Sequence, residues 1–278
     1  MKVAIVCDWF FWLDGSRLGT GGVETYLQNL IRLIRQHGCE VAVFQRGIQK
    51  FSTAWESCPV QSWRSFEEQK RLLQAYHGGR IGPTIYSDFH VIGPAIFRPC
   101  VVIQHGVYWD VRYRRFRSTL LQWLLNIKKS VSPLLLSRRL LRQIRHVDKV
   151  ITVDTNFQNW MRSMCTWADL EAKWLYVPNF AEPYPELLVQ RKLCADRPIR
   201  KILFARRFEA FRGTWLWTRV VKRIAPHFPD IKFCFCGHGQ MKGSEMHLRQ
   251  ELDSLRNVLL YERAHEEMAE EHYAADIE

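Results

Sequence analysis

The chain has 278 residues, 47% of them apolar and 13% aromatic, which excludes a disordered or collagen-like protein and allows about two domains, each with its own core. Its formal net charge is +12, a basic balance that attracts polyanions without choosing among nucleic acid, acidic lipid and phosphorylated small molecules. The eight cysteines form no CxxC pair and no metal-like grouping with histidine, so reduced, buried thiols are expected rather than a disulfide scaffold or a zinc site.

The opening "MKVAIVCDWFFWLDG" is broken by Asp8 and Asp14 and does not read as a signal peptide. No run approaches the roughly 20 apolar residues that cross a bilayer, and a cytoplasmic chain is expected. "KVAIVCD" reads as a buried parallel strand, short and β-branched. A helix from about Gly22 to Gln36 and a second strand, "GCEVAVFQRG", complete a βαβ unit. Further strands are expected at "PTIYSDF", "CVVIQHG" and "KVITVD", with helices near Ser65–Tyr76 and Leu134–Arg145 between them. The proline-rich stretch that follows reads as a linker over 181–196, between a first domain at 1–180 and a second at 197–278. There the alternation resumes: "RKILFARR", a helix near Thr214–Ala225, "DIKFCFCGHG", a helix near Ser244–Ser254, "NVLLYER" and a short helix near His265–Ala275. "AADIE" reads as the entry to another strand, so the second domain is expected to be incomplete.

Two adjacent glycines, Gly21 and Gly22, stand where the first helix begins, followed by Glu24. Glycine there implies a positive φ, a close approach to the main chain, or an ordinary glycine-rich turn. A helix N-terminus with unpaired N–H groups suits an anion, a phosphate first. The dinucleotide fingerprint G-x-G-x-x-G does not fit, because "GTGG" follows an eleven-residue excursion rich in tryptophan and phenylalanine.

"GGVETYLQNLIRLI", "VVIQHGVYWD", "KVITVDTNFQNWM", "YVPNF", "ILFARRFEAFRG" and "FCFCGHGQM" fall in an order and spacing that resembles the nucleotide-sugar-dependent glycosyltransferases of the GT-B fold. Within these, the resemblance is to the large retaining family numbered 4. It implies an α/β chain of two Rossmann-like domains and a hexose transfer from a nucleotide diphosphate sugar to a saccharide or lipid-linked acceptor in cell-envelope polysaccharide synthesis. In "RRFEAFRG" the spacing is similar to the family's G-R-x-x-x-x-K-G, which implies that Arg207 and Arg212 clamp the donor diphosphate, with arginine in the lysine's place. Fixed cations there would stabilise the charge that gathers on the leaving diphosphate. The resemblance also implies that Gly21 and Gly22 approach the diphosphate and that His105, at a strand's carboxyl end, touches the donor sugar as the catalytic-site residue. Glu24, Asn156, Asn179, Gly237 and Gly239 would line the cleft. No Asp-x-Asp pair is present, and neither metal nor cofactor is expected.

From Arg112 to Arg145 ten basic residues stand with no acidic one among them, interleaved with leucine and tryptophan. This pattern suits an anionic membrane surface, peripheral to the inner face of the plasma membrane, or equally a helix with a core-facing apolar side. No nucleic-acid motif accompanies it. Family members carry two donor-site glutamates, seven residues apart, beyond the strand that "YAADIE" would enter, so the resemblance implies a C-terminal truncation and leaves activity open. An unfinished sheet would favour association with another chain. Two other readings stay open at this point: a nucleotide-sugar 2-epimerase of the same architecture, and a non-catalytic remnant that binds a membrane or a partner.

Overall fold

A computed structural model describes residues 1–19, 21–79, 82–107, 138–164, 171–179, 198–208, 212–237, 244–263 and 267–278. The chain divides into two compact units, Met1–Phe180 and Ala181–Glu278.

The N-terminal unit is built on β1 (Lys2–Cys7), β2 (Glu40–Arg46), β3 (Ser52–Trp55), β4 (Cys58–Trp63), β5 (Thr84–Tyr86), β6 (Cys100–Gln104), β7 (Lys149–Thr152) and β8 (Trp174–Tyr176). They form one sheet in the order β3-β4-β2-β1-β5-β6-β7-β8, parallel except for the β3–β4 hairpin at one edge. The pleat sends alternate residues of β1 to opposite faces. Ala4 and Val6 enter a core with Phe44, Trp63, Tyr86, Ile144 and Phe157, while Ile5 and Cys7 enter another with Tyr26, Leu27, Ile31 and Val43. Both faces are therefore covered, which is why the strands read as continuous apolar runs.

Helix α1 (Gly22–Gln36) supplies the second of these faces through Tyr26, Leu27 and Ile31, spaced on one side, each contributing about 1.5–3 kcal/mol by burial. It stops where Gly38 takes φ +74°, a left-handed exit suited to glycine. Helix α2 (Phe66–Tyr76) starts on a reciprocal cap: Ser65 Oγ accepts from Glu68 N at 3.2 Å, and Glu68 Oε2 accepts from Arg64 N at 2.9 Å. Helix α3, described over 138–146, lays Leu140 and Ile144 into the first core, and α4 (Asn156–Met164) adds Phe157 and Met161.

In the C-terminal unit β9 (Lys201–Ala205), β10 (Lys232–Cys236) and β11 (Val258–Tyr261) are parallel, in the order β11-β10-β9. Helices α5 (Thr214–Ile224) and α6 (Ser244–Leu252), with Ala225 just after α5, cover one face through Val221, Ala225, Leu248 and Leu252 against Phe233 and Phe235. Helix α7 (Met268–Ala274) covers the other, where Met268 and Ala275 meet Leu203, Cys234 and Cys236. Its buried Glu271 accepts from Lys201 Nζ and from the Tyr261 hydroxyl, and lies 3.4 Å from Arg263 Nε. After α7 the chain does begin another parallel pairing: Ile277 bridges Ile202, and Leu203 N donates to Ile277 O at 2.8 Å.

The expected strands and helices form close to their expected bounds where they are described. Two features depart from the reading. The segment after β2 is an antiparallel hairpin, and Trp174–Tyr176 is a strand, β8, just before the stretch read as a linker. The six described cysteines are free thiols; Cys165 and Cys194 lie outside the described residues. So do Gly239, most of the basic stretch over 112–145 and the linker over 181–196.

Candidate functional site

In open α/β sheets ligands settle at the carboxyl ends of strands, where the strand order reverses direction. Each unit has such a point. In the N-terminal unit it lies between β1 and β5, since the chain first builds outward through β2 and then crosses to the far side of β1. In the C-terminal unit it lies at β9, with β10 on one side and Ile277 on the other.

At the first point the carboxyl ends of β1, β5 and β6 deliver Asp8, Asp88, Gln104 and His105. His90 stands between two carboxylates, its Nε2 3.3 Å from Asp8 Oδ2 and its Nδ1 2.8 Å from Asp88 Oδ1. Burial works to discharge the ring, but its contacts with Asp8 and Asp88 prevail and push its pKa up to about 9. The same contact with His90 holds the Asp8 carboxyl below its ordinary range, with Arg46 assisting 3.5 Å away. Asp88 Oδ2 also accepts from the Nε2 of the fully buried Gln104, which donates to Gly106 O as well.

His105 behaves differently. Burial lowers its pKa against the pull of Asp88 and Asp154, which favours the neutral imidazole. The ring packs edge-on against Tyr26, with centroids 5.0 Å apart, and among the described residues its buried Nε2 finds no hydrogen-bond partner, nor does Gln104 Oε1. A neutral imidazole nitrogen and an amide oxygen left in this way suit hydroxyl groups.

The glycines at the mouth of α1 acquire a reason within their own chain. Gly21 is extended, at φ −145°, and a Cβ there would collide with Glu24 Oε2; a Cβ at Gly19 would lie 2.8 Å from Glu24 Cγ. The buried Glu24 carboxyl thus occupies the room that these two positions leave. Gly22 faces open space. The excursion between β1 and α1 is a small hairpin, with Phe11 bridged to Leu18. The buried Gln45 on β2 pins it: Oε1 accepts from Phe10 N at 3.0 Å and Phe11 N at 2.6 Å, while Nε2 donates to Phe11 O at 3.0 Å. Asn156 is exposed at the start of α4, its N–H donating to Asp154 Oδ1, and Asn179 is exposed at the end of the described segment.

At the second point β9 runs into the loop that carries Arg207 and Arg212, and α5 begins immediately after it. Gly213 caps the helix in the left-handed region, at φ +83°, and among the described residues it has no side-chain cap hydrogen bond and nothing near the place a Cβ would take. Thr214 Oγ1, buried, donates to Arg207 O at 3.5 Å. Gly237, at the end of β10 with φ +155°, packs so tightly that a Cβ would collide with the Arg206 carbonyl oxygen. The carboxyl ends of β9 and β10 are thereby drawn together beside Arg207. What lies there is a helix N-terminus with no side-chain cap among the described residues, preceded in the chain by Arg207 and Arg212, residue types that suit phosphate oxygens.

Asp8, Asp88 and His90 were not singled out from the sequence. The signal available was positional, since Asp8 and Asp88 each fall at the carboxyl end of a stretch read as a strand, one or two residues past the strand that forms. Among the described residues no group of three or more His, Cys, Asp or Glu is placed to hold a metal ion. No described helix is long and apolar enough to cross a membrane.

No protein-family model matches the chain, and no curated protein does. Solved structures do. The catalytic domain of starch synthase IV from Arabidopsis thaliana, bound to ADP and acarbose, is 11% identical over 98% of this chain and 75% of its own, with a TM-score of 0.56. Anabaena HepE in complex with UDP and glucose is 14% identical over 99% of this chain and 73% of its own, with a TM-score of 0.63. WaaG, a glycosyltransferase involved in lipopolysaccharide biosynthesis, is 11% identical over 98% of this chain and 73% of its own, with a TM-score of 0.53. What the chain shares with these proteins is their fold, the two-unit α/β architecture of the GT-B glycosyltransferases.

Proposed function

We propose that the chain is a nucleotide-sugar-dependent glycosyltransferase, moving a hexose with retention of configuration onto a saccharide or lipid-linked acceptor of a cell-envelope polymer. The observation that carries the reading is the reversal of strand order at β9, where the Arg207–Arg212 loop meets an uncapped helix N-terminus. Anions gain there from both the helix dipole and the guanidinium groups. The donor diphosphate is assigned to this point, with Arg207 and Arg212 stabilising the charge that grows on it as the glycosidic bond breaks. Gly237 keeps the neighbouring strand end out of the way, and Gly239 follows it in sequence.

The N-terminal unit takes the hydroxyl-rich part of the reaction. Carboxylates at Asp8, Asp88 and Asp154 repel a phosphate but accept from sugar hydroxyls. The neutral His105 is assigned to a hydroxyl of the transferred sugar, and Asn156, Asn179 and Glu24 to the walls. Gly22, with open space beside it, is the member of the glycine pair assigned to backbone contact with the donor. No metal or cofactor takes part in this reading. The solved structures similar to the chain include one bound to ADP and acarbose and one in complex with UDP and glucose, which is the class of ligand proposed.

Calorimetric titration of the full chain with uridine, guanosine and adenosine diphosphates, with and without magnesium, tests the reading. One of them should bind without magnesium, and Arg207→Ala and Arg212→Ala should each weaken it tenfold or more. Affinity unchanged in both variants would overturn the assignment.

A further inference from the structure

Carboxylates collect at one end of the N-terminal sheet. Asp8 follows β1, Asp88 follows β5, and Asp154 stands just past β7, where a Cβ at Gly106 would lie 3.2 Å from its Oδ2. The buried Glu24 joins them at the end of β1: burial first, then the charges of Asp8 and Glu24, push up the pKa of the Cys7 thiol. The cations in contact with this set are already answered. His90 lies between Asp8 and Asp88, and Arg46 lies 3.5 Å from Asp8 Oδ1. Asp154 has no ion-pair partner among the described residues, and its Oδ1 accepts only the N–H of Asn156, at 2.9 Å.

The hydrogen-bonding groups act in the same sense. Both neighbours of Gln104 Nε2, Asp88 Oδ2 at 3.3 Å and Gly106 O at 2.8 Å, are acceptors, so the amide cannot be turned over. Its buried Oε1 therefore stays an acceptor, without a donor among the described residues, and Asp8 Oδ1 is a second such atom. Whatever settles here must bring donors. A sugar hydroxyl does; a carboxylate brings none and adds a like charge.

We infer that this end of the sheet selects the charge of the transferred sugar, taking an uncharged hexosyl group and rejecting a uronosyl group, with Asp154 as the specificity-determining residue. The inference rests on the reading that assigns the transferred sugar to these strand ends. Asp154 is singled out because His90 offsets the charges of Asp8 and Asp88, whereas the half-buried Asp154 carboxylate keeps its full charge beside His105.

Calorimetric titration of the full chain with UDP-glucose against UDP-glucuronate, and with GDP-mannose against GDP-mannuronate, tests this. In the pair that binds, the hexosyl member should bind about tenfold or more tightly than the uronosyl member. Asp154→Asn keeps an acceptor for the Asn156 N–H but removes the charge, and should narrow that ratio to about threefold or less. Glu171→Gln removes an exposed carboxylate just before β8, at the opposite end of the strands, and should leave the ratio within about twofold of its starting value. Each ratio is taken within one variant, so a loss of folded protein alone does not move it. Equal affinity for the two members, a ratio unmoved by Asp154→Asn, or one narrowed equally by Glu171→Gln would overturn the inference and leave diphosphate binding through Arg207 and Arg212 standing. Binding of neither pair would also overturn it, and failure of ADP to bind as well would remove the reading on which it rests.

Discussion

His90 shows how far a single side chain depends on its neighbours. Its pKa is raised in the fold, so the stabilisation it brings is fully present below about pH 6.5, the ordinary value for the free side chain, and is lost as pH rises through about 9. Asp8 has the opposite sense. Its pKa is lowered, so its contribution is present above about pH 4 and disappears on acidification. His90→Gln should therefore cost on the order of 1 kcal/mol near pH 6, an amount already reduced for the ring's partial exposure, and progressively less as pH approaches about 9.5. Thermal melts of the two proteins across that range check this, and a difference independent of pH would contradict it. The glycine pair divides at the same scale. Gly21→Ala must displace the Glu24 carboxylate and should lower stability by about 1–3 kcal/mol. Gly22→Ala meets open space at a helix start and should be neutral or stabilising by up to about 1 kcal/mol. Transfer activity lost in Gly22→Ala without a loss of melting temperature would mark a backbone that a ligand touches.

Among the elements, α7 offers the sharpest test, because a carboxylate rather than an apolar stripe fixes it. Burial opposes the charge on Glu271, yet Lys201, Tyr261 and Arg263 hold its pKa below the ordinary range. Glu271→Gln keeps the shape but removes the charge that faces Lys201, and should destabilise the C-terminal unit by about 1–3 kcal/mol at neutral pH. The loss should shrink at low pH, where the wild-type carboxyl is itself protonated. Denaturant melts at the two pH values would show it, and an equal loss at both would contradict the role given to the charge. The parallel strands of both units were legible in the sequence, since burial on two faces leaves continuous apolar runs such as those of β1 and β10. The β3–β4 hairpin was not, because one edge strand alternates in burial and its turn uses Glu56 and Ser57 at positive φ instead of glycine. Strand β8 is only three residues long and mostly exposed, so periodicity had little to register. His105 was legible as a strand-end histidine. The Asp8–His90–Asp88 contact was not, because it joins residues about eighty positions apart that only the sheet order makes neighbours.

At the scale of the whole molecule the proposed function divides the chemistry between the two units by charge. The carboxyl ends of the N-terminal sheet gather carboxylates, a neutral histidine and a buried amide, a set that answers hydroxyl groups. The corresponding end of β9 leads through the loop carrying Arg207 and Arg212 to a helix with no side-chain cap among the described residues, the end proposed to take phosphate. The net charge of +12 is thus no uniform coating. Hydrogen–deuterium exchange of the full chain, with and without a saturating nucleoside diphosphate, asks directly whether the phosphate-binding end is the one assigned. The account predicts added protection in peptides covering the loop between β9 and α5 and the first turn of α5, with the end of β1 and residues 86–90 unchanged. Protection centred on the Asp8–His90–Asp88 end, with the β9–α5 loop unaffected, would contradict it.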